Sequence, residues 1–145
     1  MALSENTVGE VLAALGERTP APASGAATAL TAALGAALAE LASRYAGDEE
    51  RAARAHELAA ELVRLGDEDA AAYTAYMADR SDETRRRIVE IPERIAALAV
   101  EAESIALHAL GRVGPAVAGD ANAGAELARA AARVARGLAE LNAAT

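Results

Sequence analysis

The stretch Thr19 to Leu41, TPAPASGAATALTAALGAALAEL, constrains the fold more than any other part of the chain. Pro20 and Pro22 hold its start extended, and Ser24 and Gly25 follow at the place of an N-cap. Behind them runs a helix with two different faces. Leu30, Leu34, Leu38 and Leu41 repeat at helical spacing and predict a core stripe. Thr28, Ala32, Gly35, Ala39 and Ala42 repeat in the same way with almost no side chain, so another backbone can approach closely. A loop with free N–H groups at the start of such a helix can also border a ligand-sized cleft.

Helical spacing continues along the rest of the chain. Thr7 with Glu10 three residues later is a capping box. It opens a short helix through Val8, Val11, Leu12 and Leu15, closed by Gly16 as its C′ residue. Glu17 to Ala23 connects to the second helix, which runs from about Ser24 to Ala46 and stops at Gly47. Asp48 caps the third helix, with Leu58, Leu62, Leu65, Ala72 and Tyr76 on one face and Gly66 weakening it midway. Asp79 to Asp82 is a break, and Ser81 or Asp82 caps the fourth. That helix carries Ile88, Ile91, Ile95, Leu98, Ala102 and Ile105. Its second row is Ala96, Val100, Leu107 and Leu110, the pattern of a central helix or a dimer seam. Pro92 frees the Ile88 carbonyl and predicts a kink. Gly111 to Gly119 reads as a loop, and Asp120 caps a last helix. There Leu127, Val134, Leu138 and Leu141 stand at core spacing, beside a ridge of Gly124, Ala128, Ala131 and Ala135. No strand alternation occurs. The expected fold is all-α, a bundle of about five helices with a kinked central helix, dimerising, in one domain over residues 1–145.

Composition removes several function classes. All 14 basic residues are arginine, and the net charge of −8 argues against nucleic acid, whose phosphates need a basic surface. Aromatics at 2% give no platform for stacking bases. The absence of cysteine removes thiolate metal sites and suits a cytoplasmic location. The apolar run Thr28 to Ala39 is too short to span a bilayer, so no membrane partner is expected. His56 falls among charged residues and His108 beside the core row, with no metal-ligand spacing, so no metal is expected.

Asp69 is the sharpest candidate for chemistry. The stripe Leu58, Leu62, Leu65 lands next on Asp69, then on Ala72, Tyr73 and Tyr76. A carboxylate on a buried face needs a partner or takes a raised pKa, and both mark a site. A structural Asp bonded to a helix end or an arginine is the competing reading. Asp67 and Glu68 fall on other faces and read as solvated. Glu90 and Arg94 read as an i, i+4 surface pair. The Arg85-Arg86-Arg87 run reads as a solvated helix start.

These motifs together resemble the cyclodeaminase/cyclohydrolase family, the formiminotetrahydrofolate cyclodeaminase domains and related methenyltetrahydrofolate cyclohydrolases. Pro20-Ala21-Pro22-Ala23-Ser24-Gly25 is similar to that family's PAPGGGS-type loop, with the triple glycine reduced, and ALTAALGAALAEL to the Ala/Gly-rich helix behind it. Asp67 to Tyr73 matches a DEDAxAF segment. Ile91-Pro92-Glu93-Arg94-Ile95-Ala96 resembles a VP-x-R/L-x-A step. Gly119-Asp120 through Asn142 resembles an SD-x-x-x-A helix leading to a terminal Asn, with Leu138 where a further Asn is expected.

The resemblance implies a helical homodimer that closes or opens a C–N ring without a metal or other cofactor, a tetrahydrofolate derivative serving as substrate. It implies Asp69 as acid/base with Tyr73 orienting or relaying, and substrate held by Ser24, Gly25, Arg94 and Asp120. A diverged member would use the same pocket on another amine or imine. The alternative from a different class is a non-catalytic helical-bundle dimer that binds a small molecule or a partner protein.

Overall fold

A computed structural model describes all 145 residues. It contains five α-helices and no strand: α1 Val8–Gly16, α2 Ser24–Tyr45, α3 Glu49–Ala78, α4 Asp82–Leu110 and α5 Pro115–Ala143, preceded by a 3-10 turn, Leu3–Glu5. Three of the predicted polar caps form. Thr7 and Glu10 make a reciprocal capping box, Asp48 accepts from the Arg51 N–H, and Ser81 accepts from the Thr84 N–H. Gly47, at φ +73, turns the chain out of α2 in the left-handed region. Gly16 differs: it is the last helical residue, and Glu17 follows in an extended conformation.

Helices α2 to α5 form the bundle. Like α4, α2 contacts all three other helices of the bundle. It is long and apolar enough to cross a bilayer by length and composition, unlike the short run read from sequence, but 56% of that window is buried inside the bundle. α1 packs at the periphery, where Val11 meets Leu3 and Ala26.

The large core side chains come from α3 and α4. Leu58, Leu62, Leu65, Ile88, Ile91, Ile95, Leu98 and Ile105 are buried as their spacing predicts. In α2 and α5 the faces are the reverse of expectation. Ala29, Ala32, Ala36 and Ala39 of α2, and Ala125, Ala128, Ala131 and Ala135 of α5, form the core. Leu34, Leu41, Val134 and Leu141 face outward. The reason is the distance between backbones. A Cβ built on Gly35 would stand 2.9 Å from the Gly124 carbonyl oxygen and 3.0 Å from the Ala128 nitrogen. No leucine fits between helices that close, so the small ridge turns inward.

Gly66 has a similar role. A Cβ there would stand 2.7 Å from the Leu3 side chain, so its glycine seats the 3-10 turn against α3. Asp67 accepts the Leu3 N–H at 2.8 Å. It therefore pins that turn and is not a solvated charge.

Gly35→Ala puts a methyl group against backbone that cannot rotate away. The steric cost of about 1–3 kcal/mol exceeds the helix-propensity gain of about 1 kcal/mol. Thermal unfolding followed by circular dichroism is expected to show a midpoint lowered by several degrees. An unchanged or raised midpoint would disprove the close α2–α5 contact.

α5 starts earlier than predicted. Gly114 is its N-cap and Pro115 its first residue, so the predicted loop Gly111 to Gly119 shrinks to a tight turn. Asp120 lies inside the helix and caps nothing. Pro92 lies inside α4, which is helical from Asp82 to Leu110.

Candidate functional site

A cavity of about 210 Å³ lies where the Pro-rich connection enters α2, between α3, α4 and α5. Pro20, Ala21 and Ala23 form its lip, and Ser24 and Gly25 its α2 wall. Asp69 and Tyr73 enter from α3, Ile88 and Pro92 from α4, Leu138 and Asn142 from α5. Asp69, Tyr73, Ser24 and Gly25, singled out from sequence, thus share one cavity.

The α2 wall differs from the N-cap read in the sequence. Ala23 is the N-cap and makes no side-chain cap bond, while Ser24 is the first helical residue. The first N–H groups of α2 are therefore left without a capping side chain, and the positive end of the helix borders the cavity. Ser24 is exposed and Gly25 is buried.

Gly25 must be glycine. A Cβ placed on it would coincide with the Asp69 carboxyl group. The carboxyl group thus lies directly against the Gly25 backbone, in the space a side chain would fill.

Asp69 has no compensating partner. It makes no hydrogen bond or ion pair with any protein group, unlike Asp67 two residues earlier. Burial pushes its carboxyl up to about 6. It can therefore gain and lose a proton near neutral pH, as general acid/base chemistry requires. Tyr73 lies one turn further along α3 and packs on Tyr76, with ring centroids 6.1 Å apart.

The opposite wall follows from Pro92. A proline inside a helix leaves the carbonyl four residues earlier without its N–H partner. Here that carbonyl is Ile88, and Asn142 Nδ2 donates to it at 2.7 Å. This bond ties α5 to α4 at the cavity and fixes the orientation of the Asn142 amide, whose oxygen remains free to accept. The sequence pattern predicts a kink at Pro92 and a core position for Leu138, whereas both line the cavity. The signal available was the freed Ile88 carbonyl, which needs a donor.

Two predicted site residues lie elsewhere. Arg94 is exposed and pairs with Glu61 of α3, its Nε 3.0 Å from the carboxylate, in place of the expected pair with Glu90. Asp120 is half-buried inside α5 and does not line the cavity. Arg85 of the arginine run donates to the carbonyls of Arg80 and Thr145 at 3.2 and 3.0 Å. His56 is exposed and bonded to Glu40 at 3.1 Å, while His108 lies 3.8 Å from Asp48. No three His, Asp or Glu side chains come together where they could hold a metal.

A larger groove of about 740 Å³ runs between α1, α2 and α3. It is lined mainly by Val, Leu and Ala, with Glu40 and His56 as its ionisable groups, already bonded to each other. It lacks the unpartnered polar groups of the smaller cavity.

A family model described as formiminotransferase-cyclodeaminase matches residues 7–145, a span that takes in the capping box, the Pro-rich loop and every residue of the cavity. No curated protein matches the chain.

Proposed function

The chain belongs to the formiminotransferase-cyclodeaminase family, and on that premise we propose that it closes or opens a C–N ring on a folate-type one-carbon substrate, as a cytoplasmic homodimer, with Asp69 carrying the proton. The observation that supports this most is the Asp69 carboxyl group, unpartnered in the cavity and held against the bare backbone of Gly25.

In ring closure an amine nitrogen attacks the amidine carbon, and that carbon becomes tetrahedral. As the new N–C bond forms, Asp69 accepts the proton that the attacking nitrogen sheds. As the old C–N bond breaks, Asp69 returns the proton to the departing nitrogen, and ammonia leaves. In the hydrolytic direction, water attacks the cyclic methenyl carbon and gives one proton to Asp69. A ring C–N bond then breaks as the new hydroxyl becomes a formyl carbonyl and its proton passes to the departing nitrogen, and the proton on Asp69 is released to solvent. Each route returns the carboxylate to its starting state, and neither calls on a metal or other cofactor. Tyr73 orients the substrate or relays the proton. Ser24 Oγ and the Gly25 N–H hold a carbonyl or anionic group of the substrate. Arg94 and Asp120 have no part in this reading.

A second version is favoured by one feature of the lip. Ala23-Ser24-Gly25 stands where the resembled loop is a triple glycine, so less bare backbone faces the substrate. A diverged member would perform the same cyclisation on another amine or imine.

Purified protein is expected to bind methenyltetrahydrofolate weakly and to accelerate opening of its ring, followed through the methenyl absorbance. Calorimetry and turnover together separate the versions. Binding with acceleration supports the folate reading. No binding and no acceleration would overturn it and leave the diverged substrate.

A further inference from the structure

We propose that the homodimer is built on the outer face of α2, whose leucine stripe pairs antiparallel with the same stripe of a second copy about a two-fold axis between Ala37 and Leu38. This locates the dimer within the reading above. It does not rest on the chemistry of that reading, and its tests measure mass and cross-linking, not turnover.

α2 is apolar on both faces. Its alanines are spent on the bundle, while Leu34 is 61% and Tyr45 69% exposed. A helix apolar all round requires cover on both sides. α1 covers only one edge of the outer face, where Leu30 is partly buried against Leu3, Val11 and Ala26, and leaves a groove walled by α1, α2 and α3, with its own Leu12 64% exposed. The stripe is Leu30, Leu34, Ala37, Leu38, Leu41 and Tyr45, and none of these carries a charge.

The spacing selects the occupant. The stripe reads the same in both directions about the Ala37–Leu38 peptide. Leu34 and Leu41 lie equally far on either side, and so do Leu30 and Tyr45. A two-fold axis there places Leu34 against Leu41 of the other copy. It also places Tyr45 against Leu30, beside that groove, and puts the small Ala37 where the helices cross. Self-complementarity of this kind is what an isologous interface needs.

Charge and area agree. Two copies that each carry −8 would repel if acidic faces met. Glu40, the acidic group nearest the stripe, is already bonded to Arg44 and His56. From Leu30 to Tyr45 the stripe runs about 22 Å at 1.5 Å per residue. With α1 as a second wall about one helix wide, two copies cover on the order of 1,000 Å², the threshold for a specific interface. The exposed row of α4, expected from sequence as a dimer seam, offers only Val100 and Leu107.

Because the chain lacks cysteine, single cysteines report the seam directly. Light scattering at micromolar concentration is expected to give a dimer. Leu34→Glu is expected to weaken it by about 100-fold or more in dissociation constant, with helical circular dichroism retained. Under mild oxidation Ala37→Cys is expected to cross-link to itself, and Val100→Cys is not. Leu30→Cys mixed with Tyr45→Cys is expected to give the mixed product. A monomeric protein, including a monomer that binds lipid vesicles or another protein through this face, would overturn the proposal. So would a dimer that cross-links through Val100, or self-cross-linking of Leu30→Cys, which requires parallel helices.

Discussion

Asp69→Asn is expected to lower turnover by about 10²–10⁴-fold, the usual contribution of a general acid/base. Asparagine keeps the shape and one oxygen but cannot take up a proton. With a carboxyl pKa of about 6, the group is mostly ionised at pH 7 and acts first as a base. The wild-type rate should therefore fall as pH drops through about 6, and the variant should lose that dependence. Asp67→Asn is the control: it keeps an oxygen for the Leu3 N–H and should leave turnover unchanged. Full activity of Asp69→Asn on the true substrate would refute the role.

The same substitution should affect stability in the opposite direction. The carboxyl pKa is raised on folding, so the native state prefers the protonated form. Below the ordinary carboxylate range both states are protonated and burial of the charge costs nothing. The penalty grows as pH rises through the unfolded value, 3.8, and is complete above about 6. Asp69→Asn removes it. Its unfolding midpoint should exceed wild type at pH 8 and converge with it near pH 3. A midpoint lowered at both pH values would mean that Asp69 holds the fold together.

What the sequence revealed depended on whether a helix had one apolar face or two. In α3 and α4 bulky aliphatic side chains occupy one stripe each, and that stripe is buried. Asp69 stood out because it interrupts such a stripe. In α2 and α5 both faces are apolar, so periodicity gives two candidate cores and cannot choose between them. The approach of Gly35 to Gly124 decides, and that contact joins residues far apart in sequence. The bond from Leu3 to Asp67 and that from Asn142 to Ile88 were hidden for the same reason. The start of α5 was legible but misread. Glycines suggested a loop up to Gly119, whereas Pro115 after Gly114 is the more local signal, a proline at the first position of a helix.

Gly25→Ala is expected to abolish most activity by displacing Asp69 without touching its charge. The added methyl group would occupy the place of the Asp69 carboxyl group. α3 cannot retreat cheaply, because Leu65 and Ala72 on either side are in the core. The side chain must leave its position, and a proton carrier moved by about 1 Å can lose about 10²-fold in rate. The overlap also costs about 1–3 kcal/mol, the range for overpacking. A helical alanine is otherwise better than glycine by about 0.5–1 kcal/mol. The sign of the stability effect should therefore depend on residue 69. In wild type Gly25→Ala destabilises, whereas in an Asp69→Ala background, where the carboxyl group is gone, it should be neutral or stabilising. Denaturant unfolding of the four proteins in this cycle isolates the contact. Equal destabilisation in both backgrounds would show that Gly25 is required by something other than Asp69, and the proposed geometry of the site would fall with it.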